Sequence, residues 1–520
     1  METPLRFLRD WLTLGAAKGG DRAGEALRAW LEGLAGSPPE EMAVAIAKRL
    51  PNLVAAQPNH HMRLKLLDAF DVAVEQFLPE LERQIAAFPL PLNPEHQATA
   101  LAADNLLKAL ALAYGTVAVG IESRKLGSGL GQLWRNAAQR AMAARARRKV
   151  LAYRVYATPS PTSWRQMHRI YRRARLRGCA ADERAGLSIE GIYVAALLFA
   201  FANPSKFSRQ DQEAILGTIE RFGSRARLRE PTEAERVRGG DRDLFLIPAD
   251  DESPGRPLHR VTASAIGAEG LILDCRELAA ALRHEGDPAP AGLDPALADR
   301  LADMWSGQPT RRFTRVRFKP RSDLVSGLER VTRFIEGEAL QRRRQDRPPA
   351  EGAVGAAAGG NGHDLGMSEW AIVNESPDSY GLRYLQGDPG RLDVGDLVGM
   401  RTRESARVHV CLIRRVSNAG QTRLELGVQE LAPAAVPVEF LGSTPGEIGR
   451  GILLPAMPAH GGGPGLVAPP GSVASGDDVT LRREGRFLSY KAGRRLEGGP
   501  GLEVFRLEPP RGTAEPAKGA

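Results

Sequence analysis

The sequence predicts an α+β multidomain chain: an all-α N-terminal helical-hairpin domain, then an antiparallel β-barrel, then an additional β module. Three observations carry this expectation. Residues 1–235 are rich in Ala and Leu with helical periodicity. Trp370 to Pro437 breaks into short alternating apolar runs split by Gly, Asn, Asp and Pro turns. Residues 441–508 repeat that pattern with Gly/Pro turns such as 460–465.

Taken in order, the first 235 residues read as helices over about 3–16, 21–35, 39–49, 62–87, 95–118, 130–152, 162–177, 188–202 and 209–222. The breaks carry helix-ending punctuation at Ser37-Pro38-Pro39, Pro51, Pro89 to Pro94, Pro159-Ser160-Pro161 and Asn203-Pro204. Residues 236–306 read as a small α/β connecting region, with strands at Asp243–Ile247 and Gly270–Cys275 and helices at Arg276–Arg283 and Pro295–Trp305. Residues 307–440 form the barrel. Its strands include Trp370–Val373, Leu382–Leu385, Val408–Val416 and Arg423–Glu430, and it is interrupted by a disordered insertion over 337–366 whose Arg, Ala and Gly content buries little apolar surface. Residues 441–508 supply further strands or a second small β module, and 509–520 a disordered tail.

Composition narrows the function classes. The chain of 520 residues carries a formal charge of +9 and three cysteines far apart in sequence (Cys179, Cys275, Cys411), which fit neither a disulfide framework nor paired metal spacing and point to a reducing, cytoplasmic setting. The N-terminus lacks the pattern of a signal peptide, and the longest apolar run, Ile192–Ala202, is too short to span a bilayer. Enzymatic chemistry finds no carrier: the nine histidines are scattered, and HExxH, CxxC and GxSxG are absent. Gly127-Ser128-Gly129-Leu130-Gly131 follows a polar stretch rather than a strand and reads as a helix break. Asp250-Asp251-Glu252 reads as a polar turn, not a divalent-cation site. No metal and no cofactor are expected.

One stretch stands apart. From Arg135 to Arg177 there are twelve arginines and Lys149 with no Asp or Glu. Two readings stay open: a patch for nucleic acid, an acidic partner or an acidic membrane surface, or amphipathic helices exposing arginine stems over a thin core, some of them pairing with acids downstream.

A second arginine cluster, Arg311-Arg312-Phe313-Thr314-Arg315, precedes the barrel, and Asn374-Glu375-Ser376 followed by Gly381 lies on its first turn. These residues resemble the PilZ domain, the bacterial receptor module for cyclic di-GMP, with its R-x-x-x-R motif ahead of the barrel and [D/N]-x-S-x-x-G on a barrel turn. Leu412–Val416 and Leu424–Val428 are similar to its closing strands. The resemblance covers about 308–437 and implies a cyclic di-GMP site made of Arg311, Arg312, Arg315, Asn374, Ser376 and Gly381, with Arg317 and Arg321 as an alternative arginine register. The chain departs from the family in two respects. The arginine motif and the Asn-x-Ser motif are separated by about sixty residues, widened by the insertion. The family glycine follows the serine by three residues, where this chain has Ser379, and Gly381 comes two residues later.

Guanidinium groups suit such a ligand because they bind phosphate oxygens and the O6/N7 edge of guanine bidentately and stack on the base. The expectation is a non-enzymatic signalling effector that meets an unknown protein partner through its helical domain and tunes motility, adhesion or exopolysaccharide output. Two alternatives stand beside it: a PilZ-like interaction protein without nucleotide binding, and a nucleic-acid-binding protein using residues 135–177.

Overall fold

The computed structural model describes residues 22–57, 59–122, 130–183, 186–238, 242–262, 266, 269–283, 293–307, 320–337, 366–402, 407–418, 423–442, 448–456, 462–483, 485–499 and 501–509. The expected helix over 3–16, the insertion over 337–366 apart from its two end residues, and the tail from 510 onward lie outside these residues. Two compact units are formed, one of 22–88, 92–204 and 209–307, the other chiefly of residues from 320 onward.

Among the described residues the first unit opens with eight α-helices: α1 (Arg22–Leu34), α2 (Pro39–Ala55), α3 (His60–Ala87), α4 (Pro94–Glu122), α5 (Leu130–Arg154), α6 (Thr162–Leu176), α7 (Ile189–Ala202) and α8 (Arg209–Phe222). Local chemistry sets their ends. The Asn59 side chain accepts from the His61 amide at 2.8 Å, and Ser188 Oγ accepts from the Gly191 amide at 2.9 Å. Asn203 closes α7 in the left-handed conformation at φ 58°. Pro51 does not break the chain as expected and lies inside α2. Ala43, Ile46, Leu50 and Val54 share one buried stripe running past it. That burial holds the helix together across the hydrogen bond a proline cannot donate.

Helix α4 is the one described helix long and apolar enough to cross a membrane by length and composition. It packs beside α2, α3 and α5, with Leu106, Leu107, Leu110, Val117 and Ile121 buried.

Residues 227–305 complete the same unit. Strands β1 (Arg227–Arg229), β2 (Leu244–Ile247), β3 (Arg256–Pro257) and β4 (Leu271–Asp274) form an antiparallel sheet in the order β1-β4-β2-β3, with α9 (Glu233–Arg238), α10 (Arg276–Arg283) and α11 (Pro295–Trp305) beside it. This region does not merely connect. Trp305 is fully buried and its indole N–H donates to the Leu198 carbonyl of α7 at 2.9 Å.

The second unit holds two closed antiparallel barrels of six strands. The first runs β10-β7-β6-β5-β8-β9 and is built from β5 (Arg321–Ser326), β6 (Ser368–Ser376), β7 (Ser379–Gly387), β8 (Leu397–Thr402), β9 (His409–Asn418) and β10 (Leu424–Ala432). Helix α12 (Leu328–Ile335), which periodicity did not flag, follows β5 through Gly327 at φ +90° and packs Val331 and Phe334 against β8.

The second barrel runs β11-β12-β13-β16-β15-β14, from β11 (Val436–Leu441), β12 (Ile448–Leu454), β13 (Gly465–Ala468), β14 (Asp478–Arg483), β15 (Arg486–Gly499) and β16 (Leu502–Glu508). The boundary at 440 therefore moves. β11, most of which fell within the first barrel's expected bounds, pairs with β12 and β14 and belongs to the second. Val331, Phe334, Leu397 and Leu412 join Ile452, Leu454, Val467 and Val504 in one apolar cluster that packs the barrels together.

Candidate functional site

The α5 part of the arginine-rich stretch is not a solvated face. Arg140, Arg145, Arg147, Arg154 and Lys149 are all buried. Arg140 donates to Asp71 at 2.6 Å, and Arg147 binds Glu82 at 2.7 Å and pairs with Glu75 as well. Arg148 pairs with Asp104, Arg154 with Glu213 and Arg135 with Asp182, each at 2.5 Å.

The remaining arginines are engaged in the same way. The Asp250–Glu252 turn takes Arg165 and Arg169, while Arg172, Arg173 and Arg175 face Glu269, Glu122 and Glu230. Arg145 donates to the Ala111 and Ala141 carbonyls, and Arg177 lies over the Trp134 ring at 4.6 Å. Every one of the twelve thus has an internal partner, while Arg165, Arg169 and Arg173 of α6 stay exposed to solvent.

Burial also displaces proton affinities. It raises the Glu75 carboxyl to about 7, with the neighbouring Glu82 adding to the effect against Arg147. It lowers the Lys149 amine to about 7, helped by Arg148 and Arg145. Among the described residues Lys149 Nζ has no hydrogen-bond partner, and it sits 3.8 Å from the Trp164 ring centroid.

In the first barrel, β6 and β7 form a hairpin whose turn is Pro377-Asp378. Asn374 pairs with Gly381, Glu375 with Tyr380 and Ser376 with Ser379. A bulge between Ile372 and Asn374 shifts the side-chain phase. Ile372 and Leu382 consequently point into the core, whereas Asn374, Gly381, Ser376 and Ser379 share the outer face.

The two extra residues before Gly381 thus leave it directly opposite Asn374. A Cβ at 381 would lie 2.5 Å from Asn374 Oδ1, so only glycine leaves that amide its place. The Ser376 hydroxyl lies 2.6 Å from Ser379 Oγ and 3.2 Å from Asp378 Oδ1.

The turn is tied down from beneath. The Glu430 amide donates to the Asp378 carbonyl at 2.9 Å. Tyr380 donates its hydroxyl to Glu430 Oε2 at 2.9 Å, and His409 Nδ1 lies 3.0 Å from the same oxygen. Burial, then the Glu430 carboxylate, raises the Tyr380 phenol well above its ordinary range, so it stays a donor. Nothing in the sequence pattern singled out these three residues.

The structure thus brings Asn374, Ser376 and Gly381 together. Arg311, Arg312, Arg315 and Arg317 lie outside the described residues. Arg321, from the alternative register, opens β5 and bonds Glu369 at 3.1 Å. Among the described residues no group of three His, Cys, Asp or Glu could hold a metal ion.

A closed barrel carrying an Asn-x-Ser hairpin, following a helical domain along the chain, fits the PilZ resemblance, and comparison with known families agrees. Residues 353–437 match the middle PilZ domain of the cyclic-di-GMP receptor FimW, and residues 25–233 match that receptor's N-terminal domain. The chain is homologous to the Cyclic-di-GMP receptor FimW of Pseudomonas aeruginosa (strain PAO1), with 24% identity over 469 residues, covering 76% of each chain. No solved structure matches it.

Proposed function

We propose that this chain is a non-enzymatic cyclic di-GMP receptor that signals through a protein partner of its helical unit. The observation that carries the reading is the hairpin register, which sets Asn374 against Gly381 and beside Ser376 on the outer barrel face. In this reading the Asn374 amide and the Ser376 hydroxyl bond one guanine edge. Arg311, Arg312 and Arg315, a few residues ahead of β5, supply the guanidinium groups for the phosphodiesters and the second guanine. Drawing that segment onto the barrel is the change a partner would sense. The similarity to a named receptor supports the same ligand class. Free Cys179, Cys275 and Cys411 suit a cytoplasmic location, with motility, adhesion or exopolysaccharide output as the consequence.

A barrel that binds only protein is the competing reading, favoured by the engagement of the Ser376 hydroxyl with Ser379 and Asp378. Calorimetric titration of cyclic di-GMP into the full chain and into an Arg311→Ala/Arg315→Ala variant separates the two. The receptor reading expects saturable binding that the variant loses. Absence of binding by the unmodified chain would overturn it.

A further inference from the structure

The register extends beyond the hairpin. Gly381 of β7 pairs with Gly427 of β10, and Gly427 pairs with Arg415 of β9. Asn374, Gly381, Gly427 and Arg415 therefore form one row on the outer face, while Leu382, Leu426 and Val416 beside them point into the core. At the usual strand spacing the row is about 14 Å from end to end, with no side chain on its two middle strands.

Gly427 borders the bulge before Val428, and an added Cβ would crowd Arg415 Cβ at 3.3 Å, with no other atom within 4 Å. A glycine inside a strand is destabilising relative to alanine. Close backbone approach by a ligand is a physical reason to keep one.

Arg415 is equally distinctive. A bulge between Gly427 and Val428 splits it from its neighbour. Arg414 turns to Gln429 and to Glu497 of β15, whereas Arg415 stays exposed at the end of the glycine row, with no carboxylate within bonding distance among the described residues. The barrel's other described arginines at strand positions all have acidic partners: Arg321 with Glu369, Arg383 with Glu425 and Arg401 with Asp323.

We propose that the ligand face reaches across β10 to β9, with the Gly427 backbone, beside the Asn374 amide that lies over Gly381, as the floor under a purine and Arg415 as a further guanidinium contact to a phosphodiester. This rests on the cyclic dinucleotide reading of the barrel, and the purine and the phosphodiester are parts of that one ligand. The floor admits a flat ring at Gly427, where no side chain rises between the Asn374 amide and Arg415. The guanidinium fork matches phosphate oxygens in a way an ammonium does not.

The test is titration of cyclic di-GMP into the full chain and into Arg415→Ala, Arg415→Lys and Gly427→Val, at two salt concentrations. An unchanged thermal midpoint shows that each variant is folded. Expected are a loss of about tenfold or more in affinity for Arg415→Ala with a shallower salt dependence, partial retention for Arg415→Lys, and a comparable loss for Gly427→Val. Tight binding by the unmodified chain with Arg415→Ala and Gly427→Val within twofold of it would overturn this inference and leave the receptor reading intact. Absence of binding by the unmodified chain would remove both.

Discussion

Arg147→Leu is the sharpest probe of the helical unit. The Arg147 side chain is 6% exposed and those of Glu75 and Glu82 are 5% and 3% exposed, so the guanidinium is the buried counter-charge to two carboxylates. It donates to Glu82 through Nε at 2.7 Å and Nη2 at 3.1 Å. Removing one partner of a buried ion pair costs about 3–5 kcal/mol because the other charge is stranded. Here the lower end applies, since losing Arg147 removes the charge that lowers Glu75 and lets that carboxyl take up a proton.

With about 2–4 °C per kcal/mol for a unit of this size, the helical transition should fall by ~6–12 °C at pH 7.5. Circular dichroism at 222 nm follows it. The drop should shrink at pH 5, where Glu75 holds its proton, and replacing Glu75 and Glu82 by apolar residues as well should restore most of the midpoint. Arg83→Ala, which breaks an exposed pair with Glu80, should leave it unmoved. A fall under about 2 °C for Arg147→Leu would refute the claim that these arginines are interior struts.

Two pH predictions follow from the same interior. Glu75 is raised in the folded state from 4.5 to about 7, so the folded chain holds a proton that the unfolded chain releases, and stability is lost as pH rises through that window. Glu75→Gln should flatten the thermal midpoint between pH 5 and 7, and an unchanged slope would contradict the assignment. Lys149 is lowered from 10.5 to about 7, so its burial destabilises the protein most below 7 and progressively less toward 10. Lys149→Met should raise the midpoint at pH 6.5 by more than at pH 9.5; an equal gain at both would show that packing, not charge, is responsible.

Helix positions were legible because alanine-rich periodicity and proline punctuation are local signals, and α6 and α8 begin within a residue of their expected starts. The role of the arginines was not. Asp71, Glu82, Asp104 and Glu213 lie 44 to 69 residues from the arginines they meet, a separation no helical period encodes. Strand positions were readable in part, but membership in a sheet was not: β11 looks the same whether it closes the first barrel or opens the second.

At the candidate site, Asn374 and Ser376 were visible as a motif. Gly381 seemed misplaced because linear spacing counts residues, whereas the hairpin register pairs them. Gly427 and Arg415 were missed. Their signal was present in the glycine of Leu424–Val428 and in the paired arginines of Leu412–Val416, but only the bulge after Gly427 decides which arginine accompanies that glycine.

The most direct test of the central claim is hydrogen–deuterium exchange of the full chain with and without cyclic di-GMP. The account predicts slowed exchange at residues 311–317, at the β6–β7 hairpin over 372–382 and along 413–417 and 425–429, with the second barrel unchanged. Protection confined to the helical unit, or none at saturating ligand, would contradict it.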